Sequence, residues 1–177
     1  GLGDVYKRQR LGYYEIVESN NERLLQLINE ILDLSKIESG IVEFTITPVR
    51  LHPLCKEIHD AHIFRCPKGV ELIYEPSDEN IVIDGDKNRI FQVISNLIGN
   101  AFKFTTAGHI SYGYHQEGKY VAFHVTDTGM GIAPDKVDRV FERFVKVNNF
   151  AQGTGLGLSI CKTIIEALNG TIGVDSR

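Results

Sequence analysis

No apolar run in this 177-residue chain approaches the roughly 20 residues needed to span a bilayer, so no membrane contact is expected of this segment. Basic clusters are missing too. The 19 Lys and Arg are outnumbered by 23 Asp and Glu, for a net charge of −4, which argues against a nucleic-acid surface. Cysteine is sparse. Cys55, Cys66 and Cys161 are odd in number and lack framework spacing, so they read as reduced cytosolic thiols. Internal repeats and low-complexity tracts are absent. What is left is 42% hydrophobic and 24% charged, the balance of a soluble globular protein, with length for one well-filled domain plus an extra element.

Against that plain background two glycine-rich stretches stand out. Asp127-Thr128-Gly129-Met130-Gly131-Ile132 is an acid and a glycine-bracketed turn placed after an apolar alternating run. Gly153-Thr154-Gly155-Leu156-Gly157-Leu158 is a triple-glycine loop that opens into a helical pattern. Glycine allows positive φ and lets a ligand approach without a Cβ in the way. A helix N-terminus offers free N–H groups and partial positive charge, which suits phosphate. The Asp127 carboxylate repels phosphate but can accept a hydrogen bond from a base amino group. The two loops together suggest a nucleotide held at both ends. Glycine pairs also mark ordinary turns, so a third element matters. In Asn96-Leu97-Ile98-Gly99-Asn100-Ala101-Phe102-Lys103-Phe104, Asn96 and Asn100 are four apart and share a helix face with Lys103. Two amides and an ammonium there could hold a magnesium–triphosphate, because magnesium takes oxygen ligands and keeps several waters. Phe104 could stack on adenine or could equally be core.

The order NLIGNAFKF, DTGMGI, FERF, GTGLGLSI resembles the N, G1, F and G2 boxes of the ATP-binding domain of two-component sensor histidine kinases, within the Bergerat-fold ATPases. The likeness runs from about Tyr13 to Arg177. It implies an α/β sandwich, a mixed sheet with helices on one face, preceded by one long bundle helix. Residues 1–9 resemble a translated library-adapter tail and are set aside from fold reasoning. Residues 10–40 match the second helix of the dimerisation and phosphoacceptor hairpin, and 41–177 the catalytic domain with its last strand cut short. The resemblance further implies a cytoplasmic kinase that binds ATP and Mg2+, forms a homodimer through the bundle helix and passes phosphate to a response-regulator receiver domain. It assigns Asp127 to the adenine amino group, with Gly129, Gly131 and Ile132 beside it. Asn100 would hold the metal, Asn96 would support it and Lys103 would contact phosphate. Gly153, Thr154, Gly155, Leu156, Gly157 and Leu158 would wrap the phosphates. Arg143 would meet the γ-phosphate when a lid closes, with Phe144 next to it.

The chain in order fits this scheme. Tyr13, Val17, Asn20, Leu24, Leu27, Ile31 and Leu34 alternate at spacings of four and three, and Ile16, Ile28 and Leu32 widen the stripe, so a helix over 13–36 closed by Gly40 suits a four-helix bundle. Phe44 and Ile46 suggest a strand with Pro48 at its exit. Pro53 to Arg65 reads as a helix with Leu54, Ile58 and Ala61 inward. Cys55, His59, His62 and Cys66 match no usual zinc spacing. Val70–Tyr74 and Asn80–Ile83 read as strands, and Asp86 as the cap of a helix to Phe102. His109–His115 and Lys119–Thr126 make a hairpin around Gln116-Glu117-Gly118. Pro134 starts a short helix, Lys146 to Gln152 has few apolar anchors and reads as a lid, and Leu156–Leu168 is the last helix. Gly170–Val174 begins a strand.

Two departures from the family pattern stand out. Lys146 occupies a place where arginine is common, supplying charge without a bidentate fork. None of His52, His59, His62, His109, His115 and His124 sits in a histidine–acid–arginine–proline context, so the phosphoacceptor is expected to lie outside this chain. Another Bergerat-type ATPase of the topoisomerase or mismatch-repair kind is the second enzyme reading. An ATP-sensing module without transfer is the alternative from a different class.

Overall fold

The computed structural model describes residues 2–146 and 153–176. The bundle helix α1 spans Leu2–Glu38, starting well before the apolar periodicity does. It stops at Gly40, whose φ of +68° a Cβ would disfavour. Its stripe divides into two parts. Leu34 and Ile37 are buried against the rest of the protein, whereas Tyr13, Val17, Leu24, Ile28 and Ile31 stay exposed.

The remaining elements are β1 (Thr47–Arg50), α2 (Leu51–His62), β2 (Val70–Glu75), β3 (Val82–Gly85), α3 (Lys87–Phe104), β4 (Gly108–Glu117), β5 (Tyr120–Asp127), α4 (Pro134–Val137) and α5 (Gly157–Ala167), with a 3-10 turn over Ile63–Arg65. The main sheet has the order β2-β4-β5, with β2 parallel and β5 antiparallel to β4. A separate antiparallel pair joins β1 to β3. Ile110, Tyr112 and Tyr114 alternate along β4 and meet Leu54 and Ile58 of α2 and Ile90, Ile94 and Ile98 of α3 in the first core. The second core sets Leu34 and Ile37 of α1 against Val93 of α3 and Leu156, Ile160, Cys161 and Ile164. This is the α/β architecture expected, and α1 is docked onto it.

The structure corrects the sequence reading in four places. Phe44 and Ile46 form no strand. Thr45 N–H donates instead to Asp86 Oδ2 at 2.9 Å, and the Arg89 guanidinium sits 5.9 Å from the Phe44 ring. The strand follows at Thr47–Arg50 and includes Pro48, which a two-stranded edge tolerates because no second ladder needs its missing N–H. Ala61 is exposed, and the inward face of α2 runs through Leu51, Leu54, Cys55, Ile58 and His62. The hairpin turns at Gly118-Lys119, since Glu117 pairs with Tyr120, and Gly118 supplies φ +60°. Gly170–Val174 forms no strand, because an extended segment needs a ladder and its described backbone finds none there. Asp86 does cap α3, accepting from Arg89 N–H at 3.1 Å. Of the four residues with conceivable zinc-binding side chains, His62 Nδ1 donates to Ile58 O at 2.8 Å and Cys66 Sγ to Val70 O at 3.2 Å.

Candidate nucleotide site

The strand β5 ends at Asp127 on the rim of a cavity of about 1240 Å³. Asp127 Oδ1 accepts a hydrogen bond from Gly129 N–H at 2.8 Å, an Asx turn. Gly129 itself packs backbone to backbone on the end of α3. A Cβ there would lie 2.5 Å from the Phe104 carbonyl oxygen and 2.7 Å from Asp127 Oδ1. Met130 N–H donates to that same carbonyl at 3.2 Å. The first glycine loop is thus clamped to α3, and only glycine fits the clamp. Gly131 (φ +69°) then turns the chain, and Ile132 lines the cavity with its N–H on Ser176 Oγ at 2.8 Å.

The helix α3 supplies the floor. Its apolar face is spent on the first core, which leaves Asn96, Asn100 and Lys103 on the cavity side. Lys103 Nζ stands 3.3 Å from where a Cβ on Gly153 would be, so the ammonium meets the second glycine loop directly. The thiol of Cys161 is directed at the Val93 carbonyl oxygen at 3.8 Å. Burial is the largest influence on that thiol and pushes its pKa up to about 12, so it is an uncharged packing group. Phe102 and Phe104 both line the cavity, and Phe102 also packs against the first core.

The second loop is shaped by its contact with Phe144. Gly155 has φ +76°, and a Cβ there would come within 2.9 Å of Phe144 Cα. Phe144 N–H donates to Gly155 O at 2.9 Å, and Phe144 itself takes φ +61°. Thr154 Oγ1 accepts from Leu156 N–H at 3.2 Å, which orders the entry into α5. The first residues of α5, Gly157 and Leu158, line the cavity, so the partial positive charge of a helix start faces it.

Most of the expected residues therefore converge. Asn96, Asn100, Lys103, Phe104, Asp127, Gly129, Gly131, Ile132, Gly153, Thr154, Gly155, Gly157 and Leu158 all line one cavity. Three sit elsewhere. Leu156 is fully buried in the second core, Phe144 is exposed and meets Gly155 through its backbone, and Arg143 is ion-paired with Glu38 of α1. Lys146 lines the cavity, but the rest of the expected lid, 147–152, lies outside the described residues. Sequence reasoning missed Gln26 and Glu30 of α1, which also line the cavity. A signal for them exists. Gln26, Glu30, Asp33 and Ile37 recur at four, three and four, a mixed stripe beside the apolar one, and it marks the docked face.

The Histidine kinase-, DNA gyrase B-, and HSP90-like ATPase family matches residues 85–177, more than half of the chain. Sensor histidine kinase RcsC of Escherichia coli (strain K12) is 39% identical over 171 residues, covering 91% of this chain and 18% of RcsC. The chain thus spans about a fifth of the length of the curated relatives it matches. Full-length ShkA, solved in complex with AMPPNP, superposes with TM-score 0.83 at 32% identity over 94% of this chain and 35% of ShkA. Histidine kinase ThkA, solved in complex with response regulator protein TrrA, superposes with TM-score 0.72 at 28% identity, over 89% of this chain and 44% of that one.

Proposed function

We propose a phosphoryl-transfer function on one premise: this chain belongs to the Histidine kinase-, DNA gyrase B-, and HSP90-like ATPase family, and it carries the ATPase domain of sensor histidine kinases. It binds ATP with Mg2+ and transfers the γ-phosphoryl group to a histidine nitrogen on a helix outside this chain, for relay to a receiver-domain aspartate. The observation that carries this is one cavity with a carboxylate at one end and a lysine-backed glycine loop at the other. The residues fit the ligand in chemistry as well as in place. Asp127 keeps one carboxylate oxygen on Gly129 N–H and can offer the other to an exocyclic amino group. The glycines leave no Cβ between the backbone and a phosphate chain.

When bound, ATP supplies the transferable phosphoryl and magnesium neutralises its charge, so the protein's task is mainly positioning. Asp127 selects the base, with Gly129 and Gly131 holding its loop on α3. Asn100 would offer an amide oxygen to the metal, and Asn96 would support it from the same helix face. Lys103 and the start of α5 meet the phosphates. The AMPPNP bound to ShkA and the TrrA partner of ThkA support the nucleotide and the receiver domain respectively. Homodimerisation through α1 is supported by its exposed apolar residues Tyr13, Val17, Leu24 and Ile28.

The test is radiolabelled ATP and magnesium with the purified chain. No acid-labile phosphate is expected on the chain alone, because none of its six histidines lies in a phosphoacceptor context. Label is expected on a phosphoacceptor hairpin from a matching kinase added in trans. Phosphohistidine mapped to one of the chain's own six positions would overturn the assignment.

A further inference from the structure

Glu30 lines the phosphate end of the cavity and Glu38 lies beside the second glycine loop, and no nucleotide site calls for either carboxylate. Glu30, on α1, accepts a hydrogen bond from the Thr154 hydroxyl inside the second glycine loop, and Gln26 Nε2 steadies its other oxygen at 2.8 Å. At the C-terminal end of α1, Glu38 is ion-paired with Arg143. Each acid engages a group that a nucleotide polyanion would otherwise use: a phosphate-loop hydroxyl and a cation beside that loop. A carboxylate pointing into a phosphate site is electrostatically unfavourable once phosphate arrives, since like charges at a few ångströms repel.

We infer that Glu30 and Glu38 form a carboxylate latch, holding α1 against the phosphate end of the cavity in competition with the nucleotide polyphosphate. This rests on the nucleotide reading above and adds to it a coupling between nucleotide and α1. The latch is positioned by contacts that survive its opening. Asp33 accepts from Arg89 Nη1 at 3.0 Å and from Gln92 Nε2 at 2.9 Å, and Leu34 and Ile37 are buried against α5. Glu30 and Glu38 flank these anchors, and they alone among the docked acids reach the glycine loop and its neighbour. Linkage makes the effect reciprocal: polyphosphate binding must loosen the two contacts by the same factor that the contacts weaken binding.

The experiment uses the whole 177-residue chain and its E30Q/E38Q variant, titrated calorimetrically with ATP, AMP and adenosine. Glutamine preserves size and can still accept a hydrogen bond, but carries no charge. ATP is expected to bind the variant at least threefold more tightly, AMP less so, and adenosine equally to both. Equal or weaker ATP binding by the variant would overturn the latch. So would an equal gain for adenosine, because the latch acts only on phosphate. Hydrogen exchange on the unmodified chain gives a second measurement that needs no variant. ATP should speed exchange across residues 26–38 of α1, and adenosine should not; unchanged exchange with ATP bound overturns the latch as well. If the unmodified chain binds no ATP, the proposed function fails, and the latch with it. If it binds ATP and the variant shows no gain, only the latch fails.

Discussion

Replacing Asp127 with Asn separates the two duties that this side chain performs. One oxygen already accepts from Gly129 N–H at 2.8 Å, and an asparagine carbonyl can take over that bond. The turn, and the Gly129–Phe104 clamp that depends on it, should survive. Asp127 is exposed, so stability should change by no more than about 0.5 kcal/mol. The other position changes from an acceptor to an N–H2 donor. Facing an exocyclic amino group it would set donor against donor, leaving both unpaired at a cost of about 1–3 kcal/mol. At about 1.4 kcal/mol per factor of ten, ATP affinity should fall roughly five- to 150-fold. Calorimetry on the folded variant measures this, with thermal melting as the control. A cycle with a purine nucleotide lacking the amino group sharpens it. The unmodified protein should bind that analogue weakly, and the variant should lose little further, since one contact cannot be lost twice. Unchanged ATP affinity in a folded Asp127→Asn protein, or full additivity in the cycle, would refute the role given to Asp127.

Asn100→Ala should weaken ATP binding mainly with magnesium present, and an equal loss in chelator would make Asn100 structural instead. Gly129→Ala should lower stability by about 1–3 kcal/mol, because its Cβ would lie 2.5 Å from Phe104 O. Gly99→Ala, which meets nothing within 4 Å in the middle of α3, should raise stability by up to about 1 kcal/mol; denaturant midpoints check both. Asp33→Ala leaves the half-buried Arg89 without its carboxylate and should cost about 1.5–3 kcal/mol, seen as a melting point several degrees lower. Burial raises the Cys55 and Cys161 thiols from 9.0 to about 12, so both favour the folded state fully below pH 9. Stability should therefore fall as pH climbs from about 9 towards 12, and both thiols should resist alkylation at pH 8 until the protein is unfolded.

The sequence by itself determined the elements whose signals are local. The cap at Asp86, the stripe of α3 and the acid and glycines after β5 are each written within a few residues, because helix period, capping and φ > 0 are local physics. The N, G1 and G2 stretches were legible for the same reason, and their chemistry pointed to a nucleotide before any geometry was known. What only the tertiary structure decided depends on partners distant in sequence. Phe44–Ile46 alternates like a strand, yet its backbone goes to Asp86, 41 residues on from Thr45. Pro48 looked like an end and lies within a strand, because β3 supplies a ladder on one side only. Arg143 is expected to meet the γ-phosphate on lid closure, but its pairing with Glu38, 105 residues away, is visible only in the fold. Glu30 belonged to a solvent-facing helix until α1 docked and placed it on Thr154. A periodicity records which side of a helix is apolar. It carries no information about which loop that side will meet, since that depends on how two cores, built from residues far apart in the chain, pack together.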